Sequence, residues 1–474
     1  MISIFKNPEL KRSSWLELSQ QRLIVLPIIS ALIYLFIYVI NQNSHMFAVR
    51  ANYTALWLTG FILFLWGTRN AADSVIGEFN DRTWDLQRMT SMQPWDMAIG
   101  KLFGSTIYNW YGGAINLAVY FLTCSEMPNP REAFETGLLL ILIAVFAHAL
   151  SISISLFGVR KNEGRSKIAS GFYTVIAILL SLNLMSFAFP GLRFISSGME
   201  WYGTRYDYFH FAICSALFFV PWAVYGLYRM MRSELQIVNG PWAWILFLIS
   251  LMIYSAGMIP SFKIPNEVLH GRFMQDQFHF SVDSNLLRLF SAITTCIYFA
   301  YGLVIIDRKN LIDFKRISKY FADRNFKKLG EVIPLWMLTL ILLIPILLFT
   351  IFYALIAGVQ LHILFFKLDT ANTIIWLISI LAFVIRDMSL FLFVNFGKRN
   401  RNADLAAVMY LAILYILFPA ILMTAHNESL TAFFLPLPTT YATISLISGA
   451  IQAGFMFWFL RTRMKESWGG MDFK

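Results

Sequence analysis

The sequence predicts an all-α polytopic membrane protein, with about twelve transmembrane helices in two pseudo-repeated six-helix halves and both termini cytoplasmic. Three observations predict it. Hydrophobic residues make up 58% of the 474 positions and charged residues only 14%, with a mean hydropathy of +0.61, against roughly 45–50% apolar and 25% charged in an ordinary soluble domain. A helix needs about 20 mostly apolar residues to cross the hydrocarbon core, and about twelve such runs follow one another, each bounded by charges, Pro or Asn. Most of the 38 Lys and Arg fall in alternate loops counted from the N-terminus, which assigns those loops to the cytoplasm.

The spans of the first half are expected near 23–41, 53–69, 101–125, 134–158, 169–188 and 207–228. Those of the second are expected near 241–262, 285–306, 336–358, 372–396, 405–424 and 440–461. The stretch ahead of the first span, MISIFKNPELKRSSWLELSQQRL, is too long and polar for a signal-peptide n-region, and no small-residue cleavage site follows. It is therefore expected to stay in the cytoplasm. A headgroup-facing cytoplasmic surface accounts for the net charge of +11. The lipid bilayer is then the partner that explains the charge, and nucleic acid is not needed. Cys124, Cys214 and Cys296 lie in or beside apolar runs, far apart and without ligand spacing, so they read as small hydrophobes rather than as disulfides or a metal site.

Two long polar insertions follow the second and the eighth spans, at Arg69–Lys101 and Asp307–Trp336. Arg69 and Arg308 end those spans. FGVRK (Phe157–Lys161) and FGKRN (Phe396–Asn400) end the fourth span of each half, at the same shift of about half the chain, as a divergent duplication would place them. The expected organisation is a first half over 1–230 with an N-terminal interfacial helix, a cytoplasmic linker over 231–240, and a divergent second half over 241–474. Outer loops at 190–208 and 426–441 mix aromatics with Gly or Pro and read as interfacial or re-entrant pieces. In the loop 263–285, His270, Asp276 and His279 match no standard ligand spacing, and no metal is assigned.

Gly77–Lys101, GEFNDRTWDLQRMTSMQPWDMAIGK, is polar between two apolar runs. As a helix it would carry a charged face supported by Glu78 and Arg82 four apart, with Arg88 three beyond Asp85. Phe79, Trp84, Leu86 and Met89 supply bulk, Pro94 is expected to break the helix, and Gly100 and Lys101 open the third span.

These residues resemble the membrane subunits of ABC-2 type transporters. The family pattern is matched by Glu78 near the end of the second span, Thr83 followed by Trp84 and Asp85, then Pro94, and finally Gly100 and Lys101; where the family has Gly before the Thr, this chain has Arg82. The N-terminal helix with Trp15, Leu16 and Leu18, the six-span unit and a re-entrant piece before its last span are also similar to the family's. The resemblance covers residues 1–230 by motif and 240–474 by topology, so the chain looks like two family halves fused. It implies a permease subunit of an exporter in the bacterial inner membrane, with no catalysis of its own. Its insertion would be the coupling helix received by a cytoplasmic ATP-binding subunit, present in two copies or as a dimer. Residues 313–336 would form a second, unequal contact through Lys315, Arg316 and Tyr320. ATP and Mg would belong to that partner, since no G-x-x-x-x-G-K-[ST] loop occurs in the sequence.

Charges inside spans are costly and mark functional or tightly paired positions. Arg386 and Asp387 fall near mid-bilayer in the tenth span; pointing about 100° apart, each is expected to seek a partner on another span. His148, in the matching fourth span with Ser151, Ser153 and Ser155 below it, is a candidate neighbour. Phe172, Tyr173 and Tyr410, in the fifth span of each half, would by family analogy border a pathway. The rival reading is a proton-coupled secondary transporter of twelve spans using Asp387 and Arg386, which predicts short second loops and a large central loop. A membrane-embedded transferase would want clustered outer carboxylates and histidines, and only the group at 270–279 is on offer. The transported substrate is not legible.

Overall fold

A computed structural model describes residues 7–41, 46–90, 92–161, 170–188, 199–259, 284–307, 309–357, 361–363, 366–397, 403–424, 428–439 and 441–469. Apart from two short hairpins its regular structure is helical. The chain divides into two compact units, one of residues 1–199 and 205–239, the other of 200–204 and 240–474.

In the first unit, a short helix α1 (Pro8–Glu17) precedes α2 (Gln20–Ile40). One continuous helix then runs as α3 (Phe47–Thr59), a π-helical stretch (Gly60–Trp66) and α4 (Gly67–Asn80). The polar insertion contains α5 (Trp84–Arg88) and α6 (Pro94–Ile99). A second π-stretch (Gly100–Gly104) leads into α7 (Ile107–Leu122). Helices α8 (Pro130–Lys161), α9 (Ser170–Ala188) and α10 (Tyr208–Glu234) complete the series; the hairpin of β1 (Met199–Trp201) and β2 (Thr204–Tyr206) before α10 has its residues 200–204 in the second unit.

The second unit continues with α11 (Trp242–Gly257), α12 (Ser284–Ile306), and the insertion helices α13 (Leu311–Ala322) and α14 (Phe326–Val332). Helix α15 (Leu335–Ala357) follows, then a hairpin of β3 (Leu361–Ile363) and β4 (Phe366–Leu368) in which His362 faces Lys367, then α16 (Thr370–Asn395). Helix α17 (Ala403–Ala412) passes through a third π-stretch (Ile413–Leu417) into α18 (Phe418–Thr424), and α19 (Glu428–Phe434) and α20 (Ala442–Gly469) are the last described helices.

Among the described residues, nine helices are long and apolar enough to cross a membrane, which makes this a multi-pass membrane protein. The other three expected spans coincide with shorter elements. Helices α7 and α11 have 16 residues each, and α9 has 19. In each unit the fourth expected span lies at the centre. The most apolar windows of α8 and of α16 are each 56% buried, against 11% for α2 and for α17–α18, whose apolar faces are left for lipid. Helix α8 packs against α4, α9 and α10, and α16 against α20 and α17.

Three sequence expectations meet different outcomes. Of the loop 190–208, read as interfacial or re-entrant, the described residues 199–208 hold a short hairpin and the start of α10. The hairpin's turn residues Tyr202 and Gly203 both have positive φ, 49° and 79°, as a two-residue hairpin turn with the strands' own twist requires. Residues 231–234, expected within the linker, form the last turn of α10. Pro94 does not break a helix: it sits at the first position of α6, where its missing N–H costs nothing. His270, Asp276 and His279 lie outside the described residues.

Candidate coupling site

Helix α4 ends in a tight C-terminal turn. The Thr83 amide donates to the Glu78 carbonyl at 2.9 Å and the Arg82 amide to the Phe79 carbonyl at 3.1 Å, the two bonds of a Schellman cap. Such a cap needs a left-handed residue, and Arg82 supplies it with φ of 59°. A conformation that glycine adopts most readily is thus held here by an arginine. Because the helix stops at Asn80, Arg82 is out of helical register with Glu78. The expected Glu78–Arg82 support is replaced by other partners.

Those partners are far away in sequence. Lys101 Nζ lies 2.5 Å from Glu78 Oε2 and 3.3 Å from Glu9 Oε1. Arg12 grips Glu9 through Nε at 3.0 Å and Nη2 at 2.8 Å, and also pairs with Glu78. Gln87 Nε2 donates to Glu78 Oε1 at 2.7 Å. Two carboxylates and two cations thus form a neutral cluster joining α1, the end of α4, the insertion and the start of the third span. Glu9 and Lys101 are each 1% exposed, so each needs its partner in place. The carboxyl of Glu9 is pushed up by burial but pulled down further by Arg12 and Lys101, and is held below its ordinary range. The Arg12 guanidinium, bonded to Glu9, is raised.

Glycine permits this approach. A Cβ on Gly100 would stand 2.5 Å from Glu9 Cβ, and one on Gly104 would stand 2.8 Å from Ser13 Cβ. The small pair four apart therefore lets α1 lie directly on the third span. Asn7 caps α1 by accepting from the Glu9 and Leu10 amides, while its Nδ2 donates to the Asp96 carbonyl at 2.8 Å.

Trp84 is buried among Val75, Ile76, Met97, Leu102, Ile152 and Leu156, with Lys101 Nζ 5.3 Å from its ring centroid. It clamps the insertion from within, and truncating such an indole costs about 3–5 kcal/mol. The outward side of the insertion is made by Asp81, Arg82, Thr83, Asp85, Leu86 and Met89. Leu86 is 66% and Met89 84% exposed. Arg88 is held 3.4 Å from Asp85 and donates Nε to the Glu234 carbonyl at 3.1 Å. Buried Glu234, at the end of α10, also pairs with Arg160 near the end of α8. Trp95 meets Tyr228 edge-on, with centroids 4.8 Å apart and planes at 84°.

The second insertion repeats the turn. Asn325 donates to the Tyr320 carbonyl at 2.9 Å and Arg324 to the Phe321 carbonyl at 3.2 Å, with Arg324 at φ of 53°. The letters repeat with it: Phe79-Asn-Asp-Arg-Thr-Trp84 against Phe321-Ala-Asp-Arg-Asn-Phe326. This signal was available in the sequence, and a search for Glu and Thr passes over it. In this alignment Tyr320 stands at the place of Glu78. Phe326, at the place of Trp84, is 68% exposed, as is Phe321. Lys315 and Arg316 are exposed on α13, and Arg316 lies 3.6 Å from Asp313.

The polar groups within spans fall into two clusters. In the first unit, the wider π-turn of Gly60–Trp66 offers carbonyls to side chains: Ile62 accepts from Asn109 Nδ2 at 3.1 Å and Leu63 from His148 Nε2 at 2.8 Å. Gly67 makes room, since a Cβ there would stand 2.4 Å from His148 Nε2. Ser151 donates to the Thr68 carbonyl at 2.8 Å and Ser153 to that of Ala149 at 2.8 Å. In the second unit, Arg386 and Asp387 pair with each other at 2.8 Å, beside the partners on other helices that each was expected to seek. Each also reaches another helix: Asp387 accepts from Tyr301 and, at 2.6 Å, from Tyr415, and Arg386 Nη1 donates to Gln452 Oε1 at 2.8 Å. Tyr415 lies in the third π-stretch, so both clusters engage a π-turn, a feature common at functional positions. Tyr173 packs against Gly158, while Phe172 and Tyr410 are exposed on their own units.

No group of metal-ligating side chains occurs among the described residues. Comparison with protein families, with curated proteins and with solved structures returned no match.

Proposed function

We propose that this chain is the membrane permease subunit of an ABC-2 type exporter, worked by a separate ATP-binding subunit that holds ATP and Mg and docks on Gly77–Lys101. The observation that supports this most is the two-sided character of the insertion. Outward, Leu86 and Met89 stand exposed among Asp81, Arg82 and Asp85, a small apolar patch with a charged rim of the kind that protein interfaces use. Inward, the same segment is fastened by Glu78 to Lys101 and by Arg88 to Glu234. A partner's movement would therefore reach the second, third and sixth spans directly. The repeated turn at Arg324 supports a second, more basic contact through Lys315, Arg316 and Tyr320. Twelve spans, cytoplasmic termini and a place in the bacterial inner membrane belong to the same proposal.

The test is mild-detergent purification of the full chain from its native membrane. The expected result is an accompanying ATPase with a nucleotide-binding loop, lost from the double variant Leu86→Asp/Met89→Asp while the chain keeps its melting temperature. No such ATPase with the intact chain, or an undiminished one with the double variant, contradicts the proposal. These two positions serve better than Glu78 or Trp84, whose replacement would disturb the chain's own packing.

A further inference from the structure

We infer that a polar cleft in the first unit takes a zwitterionic phosphoamine headgroup, of the phosphoethanolamine class. The cleft measures about 500 Å³ and lies where the start of α2, the second span and the start of the third span meet. That volume suits a small ligand. Its walls carry Glu17, Arg22, Trp66, Asp73, Ser105 and Tyr108. Arg22 is the one cation among these six, half-exposed, with its Nη1 2.5 Å from Glu17 Oε2 and its guanidinium 5.8 Å from the Tyr108 ring centroid. Trp66 meets Tyr108 edge-on, with centroids 5.6 Å apart and planes at 86°.

The chemistry is divided within one small space. A guanidinium presents donors suited to a phosphate. Two carboxylates and two aromatic rings suit an ammonium group, by charge and by cation–π attraction. A headgroup with phosphate alone would add net charge to a cleft whose carboxylates are already balanced, Glu17 by Arg22 and Asp73 by Arg69 at 3.7 Å. A simple amine would add net charge of the opposite sign, whereas a zwitterion adds none.

The source of that chemistry is argued from α2. Directly after Arg22, the helix exposes Ile24, Val25 and Ile28 at 59%, 47% and 52%, and only 11% of its apolar window is buried. Acyl chains lying along this face would bring a headgroup to the level of the cleft. The inference uses the first unit alone and stands whether or not an ATPase docks on the insertion.

The experiment is native mass spectrometry of the full chain released from detergent with equal amounts of phosphatidylethanolamine and phosphatidylglycerol of matched acyl chains. Retention of the amine lipid is expected to exceed that of the glycerol lipid about tenfold, a difference of about 1.4 kcal/mol. Glu17→Gln/Asp73→Asn should abolish the preference, and Arg22→Gln should lower retention of both lipids. Soluble phosphoethanolamine, but not glycerol phosphate, should displace the bound lipid; displacement by phosphoethanolamine with no lipid preference would assign the cleft to a free phosphoamine instead of a membrane lipid. Equal retention of both lipids without displacement by phosphoethanolamine overturns the inference. So does an unchanged preference in a folded Glu17→Gln/Asp73→Asn variant. Should that variant not fold, the two lipids and the soluble competitor on the unaltered chain decide the matter.

Discussion

Lys101 and Glu78 close to 2.5 Å across the ends of the third and second spans, with Lys101 almost wholly buried. This pair sets the mechanical character of the insertion: its helices are not a loop laid on the surface but an extension of the spans. Replacing Lys101 by Met removes the cation from between Glu78 and Glu9 while keeping the volume. A buried pair broken from one side costs about 3–5 kcal/mol. The expected outcome is a loss of that size in unfolding measured in mixed micelles, and a loss below about 1 kcal/mol would show the cluster to be dispensable.

Acid should release the same cluster. The carboxyl of Glu9 is raised by burial but lowered further by Arg12 and Lys101, so its folded-state value lies below its unfolded one. A group with that sign contributes stability that is fully present above the unfolded value and is lost as pH falls through the folded one. The melting temperature should therefore hold near neutrality and decline below about pH 4. Glu9→Gln should shrink that acid-induced decline, and an identical profile in the variant would remove Glu9 from the account.

Two glycines separate close packing from mere helix breaking. Gly100→Ala forces a Cβ to within 2.5 Å of Glu9 Cβ, whereas a Cβ on Gly77 meets nothing within 4 Å. Gly100→Ala should destabilise by about 1–3 kcal/mol, and Gly77→Ala should be neutral or stabilise by up to about 1 kcal/mol. The two variants are compared by thermal unfolding in one detergent.

In the second unit, Arg386 and Asp387 should behave as one element. Arg386→Met and Asp387→Asn each strand a buried partner and should cost about 3–5 kcal/mol. The double variant should cost less than the two single effects together by more than about 1 kcal/mol. Additive losses would mean that Tyr301, Tyr415 and Gln452, rather than the pair itself, carry the energy.

Much of the fold is legible in the sequence because a span writes itself as a local run: each apolar stretch coincides with a helix. What is not legible depends on contacts between distant segments or on where a helix stops. Glu78 and Arg82 have helical spacing, but the left-handed turn at Arg82 ends the helix first. Glu9 and Lys101 give no local sign of each other, since they meet only when α1 settles on Gly100 and Gly104. The adjacent Arg386 and Asp387 diverge at their Cβ atoms, yet the long arginine side chain bends back to its neighbour. The turn at Arg324 was legible in letters, through the repeated Phe-x-Asp-Arg, once the comparison allows Asn for Thr and Phe for Trp.

The proposed docking of an ATPase on Leu86 and Met89 can be read by site-specific photocrosslinking in the native membrane. A photoreactive phenylalanine analogue placed at residue 86 or 89 should form an adduct with a protein that carries a nucleotide-binding loop, while the same group at residue 28, on the lipid-facing side of α2, should not. Adducts at 86 and 89 formed with lipid alone, or with the same proteins as at residue 28, would contradict it.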